Sequence, residues 1–163
     1  MITPFLWFDG QAEEAVNFYI SIFKNSKIDK ITHYGDAGPG ETGSVMSIEF
    51  QLEGQDFMAL NGGPTGTDPV YGPFQGAIAL FVDCETQADV DALWNKLSEG
   101  GKKAQCGWLT DRYGFTWNIV PAGLGDVLRG DDPEGSERAF KAMLQMEKLD
   151  IDELRRAYEG VPT

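Results

Sequence analysis

The chain has 163 residues and a formal charge of −13, from 13 Lys and Arg against 26 Asp and Glu. That balance excludes the basic footprint that nucleic acid or an anionic membrane surface requires. An apolar share of 42% with four Trp and ten Phe is ample for one compact domain or two small modules. Cys84 and Cys106 are too few for a disulfide framework, and their spacing fits no zinc motif. The start, Met1-Ile2-Thr3-Pro4, lacks a signal peptide's basic and apolar regions. No window is as long and apolar as a membrane span. A cytoplasmic protein with no membrane and no nucleic-acid partner is expected.

The first predicted strand is Pro4–Phe8, broken by Asp9 and Gly10. Ala15, Phe18, Tyr19, Ile22 and Phe23 then recur at helical spacing, with Glu13 and Glu14 in the first turn, where the helix dipole favours negative charge. Ile28–Tyr34 alternates as a strand, and 35–43 is a glycine-rich loop. Val45–Leu52 is the cleanest strand: Met46, Ile48, Phe50 and Leu52 point one way, and Val45, Ser47, Glu49 and Gln51 the other. Glu53-Gly54 signals a hairpin turn and Asp56–Leu60 its return strand.

Residues 62–75 are rich in Gly and Pro and read as a linker or lid. A strand at Ala77–Asp83 follows. Thr86 is a plausible N-cap for a helix whose apolar stripe is Val90, Leu93, Trp94 and Leu97. Strands are predicted near Lys103–Leu109 and Phe115–Val120. Asp131-Asp132-Pro133 then opens a helix carrying Ala139, Phe140, Met143, Leu144 and Met146. Asp150 with Glu153 resembles a capping box ahead of Leu154, Ala157 and Tyr158.

Strand, helix and several strands thus occur twice. The fold class is α+β: two βαβββ modules over residues 1–130 (first 3–61, second 76–121, linker 62–75), with a C-terminal helical extension over 131–163. The tail's apolar residues, Phe140, Met143, Leu144, Leu154 and Tyr158, must bury a face on something, which motivates a homodimer.

Three stretches, Pro4–Ala15, Ala59–Pro64 and Cys106–Phe115, together with Met143–Met146, resemble the PhnB-like family labelled "3-demethylubiquinone-9 3-methyltransferase". That family lies within the vicinal oxygen chelate superfamily of glyoxalase I and the extradiol dioxygenases. The resemblance implies a dimer with modules pairing within or between chains, and for the superfamily's enzymes a metal held by His and Glu from four strands. Carried over by position, those ligands fall near Thr3 or Phe5, near Leu60, at Ala77 and at Asn118. These side chains cannot hold a divalent cation. No metal and no cofactor are therefore expected, and Gly38-Pro39-Gly40 lies between strands, without the helix that a nucleotide-like cofactor's turn requires.

Side-chain alternation places Phe115, Trp117 and Ile119 in the core and Thr116, Asn118 and Val120 on a cavity face. Module equivalence adds Phe5 and Trp7. The ligand-binding candidates are Phe5, Trp7, Glu49, Leu60, Ala77, Phe81, Thr116 and Asn118, an apolar cup for a small apolar or aromatic molecule. The alternative is that these side chains fill the cup, leaving a structural dimer. An enzyme reading rests on Glu49 or on His33, the single imidazole, as acid or base; an exposed edge His is the plainer account. Asp111-Arg112 reads as a turn with Asp111 accepting backbone hydrogen bonds, against a ligand-binding Arg112. Asp9 and Asp83 read as equivalent strand ends serving caps or turns.

Overall fold

The computed structural model describes residues 3–35, 40–64 and 78–161. Ala77 and most of the 62–75 linker lie outside them. The chain divides into two compact units, Met1–Pro73 and Phe74–Thr163, each holding one four-stranded sheet.

In the first unit β1 (Phe5–Phe8), α1 (Ala12–Ile22), β2 (Lys27–His33), β3 (Val45–Leu52) and β4 (Gln55–Asn61) follow in order. The sheet order is β1-β4-β3-β2, with β1 parallel to β4 and the other pairs antiparallel. Period-two alternation buries Leu6, Phe8, Ile48, Phe50, Leu52, Phe57 and Ala59 on one face. These meet Ala12, Ala15, Val16 and Tyr19 of α1. The helix stripe sits slightly round from the sequence expectation: Phe18 and Ile22 are half-buried margins. Glu53 and Gly54 both take positive φ, 50° and 78°, as the two-residue turn between β3 and β4 demands.

The second unit repeats the plan with β5 (Leu80–Cys84), α2 (Gln87–Ser98), β6 (Lys102–Lys103), β7 (Trp108–Thr110) and β8 (Thr116–Pro121), in the order β5-β8-β7-β6. Leu109, Trp117 and Ile119 are buried, as are Val90, Trp94 and Leu97 of α2. Thr86 caps α2, its side chain accepting from the Asp89 N–H. Asp111, 3% exposed, accepts from the Tyr113 and Phe115 N–H groups and from the Trp117 indole at 2.8 Å. The turn reading of Asp111 stands. Arg112 turns to Glu99, donating to its carbonyl at 3.3 Å and approaching its carboxylate at 3.8 Å.

The strand expected over Lys103–Leu109 is two short strands. Cys106 and Gly107 take φ of 59° and 79° and leave the ladder, and their N–H groups donate at 2.7 Å to the Met146 and Glu147 carbonyls. The acceptors come from the C-terminal extension, which the local sequence cannot announce.

The C-terminal helices begin before the expected 131–163 extension: α3 (Leu124–Leu128), which was not foreseen, precedes α4 (Pro133–Met143) and α5 (Ile151–Glu159), and the extension is taken from α3 onward. Asp132 and Asp150 cap α4 and α5 as expected. Val127, Ala139, Ile151 and Leu154 form a small core with Leu128, Met143 and Tyr158 packed on it. A Cβ at Gly135 would meet the Tyr158 carbonyl at 2.8 Å, so glycine lets α4 and α5 approach closely. The extension is also fastened to α2. The Gln87 amide donates to the Leu149 carbonyl and accepts from the Ile151 N–H, while Lys148 pairs with Asp91 at 2.5 Å. Most of the apolar tail face thus has its partner within its own unit; Phe140 and Leu144 stay exposed.

Candidate functional site

Strand register sorts the side chains that face away from the helices. In the first sheet one cross-strand row is Trp7–Leu60–Ser47–Thr32 and the next is Phe5–Met58–Glu49–Lys30. Phe5, Trp7, Glu49 and Leu60 therefore share one face, as the alternation argument expects. In the second sheet the rows are Asp83–Val120, Phe81–Asn118–Trp108 and Thr116–Thr110. Phe81, Thr116 and Asn118 share that face; Ala77 lies outside the described residues.

Hydrogen bonds align the two units. Gly62 N–H donates to Phe8 O at 3.0 Å just past β4, and Ala122 N–H donates to Cys84 O at 2.8 Å just past β8. Counting back, Phe5 is level with Phe81 and Trp7 with Asp83. Pro4 is level with Leu80, and Asp9 and Asp83 are not equivalents. Neither of those carboxylates caps a helix. The first N–H of α1, on Ala12, is taken at 2.9 Å by Asn61 Oδ1, whose Nδ2 donates to Val45 O at 2.9 Å. A cap supplied from 49 residues away leaves no trace in the local sequence.

Asn61 belongs to a connected cluster. The Trp7 indole donates to Gly63 O at 2.7 Å, and a Cβ at Gly62 would meet the Trp7 ring at 2.1 Å. Tyr34 donates its hydroxyl to Asn61 O at 2.5 Å. The sequence stretches around Trp7 and Asn61-Gly62-Gly63 are therefore held together by packing and hydrogen bonds, with the Trp7 indole N–H engaged at this end of the sheet.

His33 is exposed at the end of edge strand β2. It shares a polar cavity of about 610 Å³ with Asp9, Glu13, Tyr34 and Asn61. Glu49 is exposed and lies 3.8 Å from Lys30. His33 pairs with Val45, four residues from Glu49 on β3, so the two candidates stand about 13 Å apart along the strand and do not share a proton.

The second unit holds a larger and more apolar cavity of about 710 Å³. Its lining joins the row Phe81–Asn118–Trp108 and Val120 to Leu128, Phe140 and Met143 of the extension. Phe81 is 65% exposed. Asn118 is buried, and its Nδ2 donates to Cys106 O at 3.1 Å, which fixes the amide plane. Trp108 and the extension residues were missed by sequence reasoning. Alternation with Thr110 would have found Trp108; nothing in the chain order announces Phe140.

Of the positions at which the sequence analysis looked for metal ligands, Thr3, Phe5, Leu60 and Asn118 are described, and none offers an imidazole, carboxylate or thiolate. Among the described residues no three His, Cys, Asp or Glu side chains gather as ligands.

The family model for 3-demethylubiquinone-9 3-methyltransferase matches residues 1–120. A putative 3-demethylubiquinone-9 3-methyltransferase, PhnB protein, from Bacillus cereus is 37% identical, with 74% of this chain and 98% of that one covered at a TM-score of 0.66. A protein from Pseudomonas aeruginosa is 22% identical over 74% of this chain and 98% of its own, at 0.56. A glyoxylase/bleomycin resistance protein/dioxygenase domain from a Frankia species is 16% identical over 74% and 90%, at 0.44. No curated protein matches.

Proposed function

The chain belongs to the 3-demethylubiquinone-9 3-methyltransferase family, PhnB-like in kind, and from that premise we propose that its second unit binds a small apolar or aromatic organic molecule without a resident metal. The observation that carries this reading is the cavity over Phe81, Asn118 and Trp108. Two aromatic side chains flank one oriented amide, giving stacking area and one polar contact to set a ligand's direction. The volume falls within the range of small-molecule sites. Thr116 lies one row along, and in the first unit Phe5, Glu49 and Leu60 share one face of their own sheet.

A thermal-shift screen of uncharged aromatic compounds, followed by calorimetry, tests the reading. A hit should lose roughly 1–2 kcal/mol of binding with Phe81→Ala; no hit on the wild type overturns it. Elemental analysis of protein purified without chelator tests metal independence, which about one zinc, nickel, iron or manganese per chain would overturn.

A second reading is acid–base catalysis in the first unit, favoured by the cavity that joins His33 to Asp9 and Glu13. It predicts a turnover abolished by His33→Ala. Methyl transfer, named for the family and the Bacillus cereus relative, requires a bound methyl donor. The turns leading into α1 and α2 hold one glycine and none, unlike a nucleotide-type cofactor turn, so S-adenosylmethionine is expected to leave the melting temperature unchanged. A cytoplasmic homodimer completes the proposal. Exposed Phe5, Ile78 and Leu144 support self-association, and no helix among the described residues is long and apolar enough to cross a membrane. Light scattering showing a monomer at micromolar concentration would refute the dimer.

A further inference from the structure

We propose that the C-terminal extension completes the second-unit site and selects a ligand whose apolar or aromatic body ends in an anion, received by Arg129. The inference rests on the binding reading above and adds to it a wall and a charge. The family model stops at residue 120, so α3, α4 and α5 lie wholly beyond it. Yet Leu128, Phe140 and Met143 line one cavity together with the Phe81–Asn118–Trp108 row.

Phe140 is the telling residue of that wall. The core of the extension is made by Val127, Ala139, Ile151 and Leu154, and Phe140 is 48% exposed beside it. Its ring adds little to holding the helices together and faces the cavity instead. An apolar body lying between Phe140 and Phe81 covers two large side chains that water now reaches.

Arg129 lines the same cavity from the end of α3. It is exposed, and its side chain makes no ion pair or hydrogen bond among the described residues. By contrast Arg112, Arg138 and Arg155 each face a carboxylate. Asp83 is the other charged group in the lining. A guanidinium is the better anchor of the two: it is weakly hydrated, always charged, and presents paired N–H groups that match a carboxylate. Asp83 is a compact, strongly hydrated anion at the strand end, and a ligand that leaves it in water loses nothing.

Calorimetry with three probes of one shape tests this: 2-naphthoate, the neutral 2-naphthamide and the cation 2-naphthylmethylammonium. On the wild type, naphthoate should bind about tenfold more tightly than naphthamide, the effect of one charge-assisted hydrogen-bonded contact. Arg129→Gln should erase that difference while sparing naphthamide. Phe140→Ala should weaken both by several-fold with the melting curve nearly unchanged, and Leu144→Ala, exposed on the same stretch but outside the cavity, should change neither. Naphthamide binding that ignores Phe140→Ala and Leu128→Ala would place the site elsewhere and overturn the inference while sparing the binding reading. Tighter binding of the amide or the cation would overturn the charge assignment. Binding of none of the probes would sink the inference, and failure of the uncharged screen as well would sink the reading beneath it.

Discussion

The two units share one topology and finish it in opposite ways. At one level of the parallel strand pair the first unit has Trp7 and the second has Asp83. The Trp7 indole lies over Gly62 and bonds Gly63 O, so the chain closes that end of the sheet with its own side chain. Asp83 is short and exposed, and beside it the floor of Phe81, Asn118 and Trp108 stays open as a cavity. Support follows the same division. The first unit caps its helix through Asn61. The second has two short strands and satisfies Cys106 and Gly107 with carbonyls from the extension. Duplicated folds diverge at such points because strand pairing constrains only the backbone, which leaves the open face free to become filler or site.

The largest effect is expected at the corner where the second unit depends on a single carboxylate. Asp111→Ala removes the acceptor of the buried Trp117 indole and of two part-buried backbone N–H groups and should cost about 3 kcal/mol or more in denaturant unfolding. A loss under about 1 kcal/mol would show the corner to be held by something else. Next, Trp7→Ala should cost about 2 kcal/mol of stability, whereas Phe81→Ala should stay within about 0.5 kcal/mol, since its ring is mostly in water. Equal losses at these two open-face aromatics, one in each unit, would break the comparison.

Gln87→Ala tests whether the extension is an integral wall. Removing both bonds to Leu149 and Ile151 should cost about 1–2 kcal/mol and speed hydrogen exchange in α5 first. Uniform exchange would mean the extension is held without it. The smallest effect belongs to Asp91. The Lys148 ammonium, hydrogen-bonded to it, holds its carboxyl below the ordinary 3.8. A lowered carboxylate pKa adds stability that is full above the unfolded value and is lost as the pH falls through the folded one. The pair is partly exposed and screened by solvent, so the gain is about 0.5 kcal/mol or less. It should begin to fade from the difference between wild type and Lys148→Ala as pH drops below about 3.8 and be gone below the lowered folded value, and an unchanged difference across that fall would refute the pairing.

Much of the fold was legible. Val45–Leu52 emerged with its boundaries intact, and Thr86, Asp132 and Asp150 cap the helices expected of them, because alternation and capping are local and carry their physics within a few residues. The face shared by Phe5, Trp7, Glu49 and Leu60, and that shared by Phe81, Thr116 and Asn118, followed from the same period of two. The sequence by itself thus determined the two βαβββ units, their helix-facing cores and the side on which a site could form. Tertiary structure alone decided which side chains on that side are already engaged and which line a cavity. The Asn61 cap, the Trp7–Gly63 bond, the split of β6 from β7 and the wall made by Phe140 all join residues dozens of positions apart. Such partners are chosen by packing in space, where sequence separation has no bearing on which hydrogen-bonding group or apolar surface comes within reach.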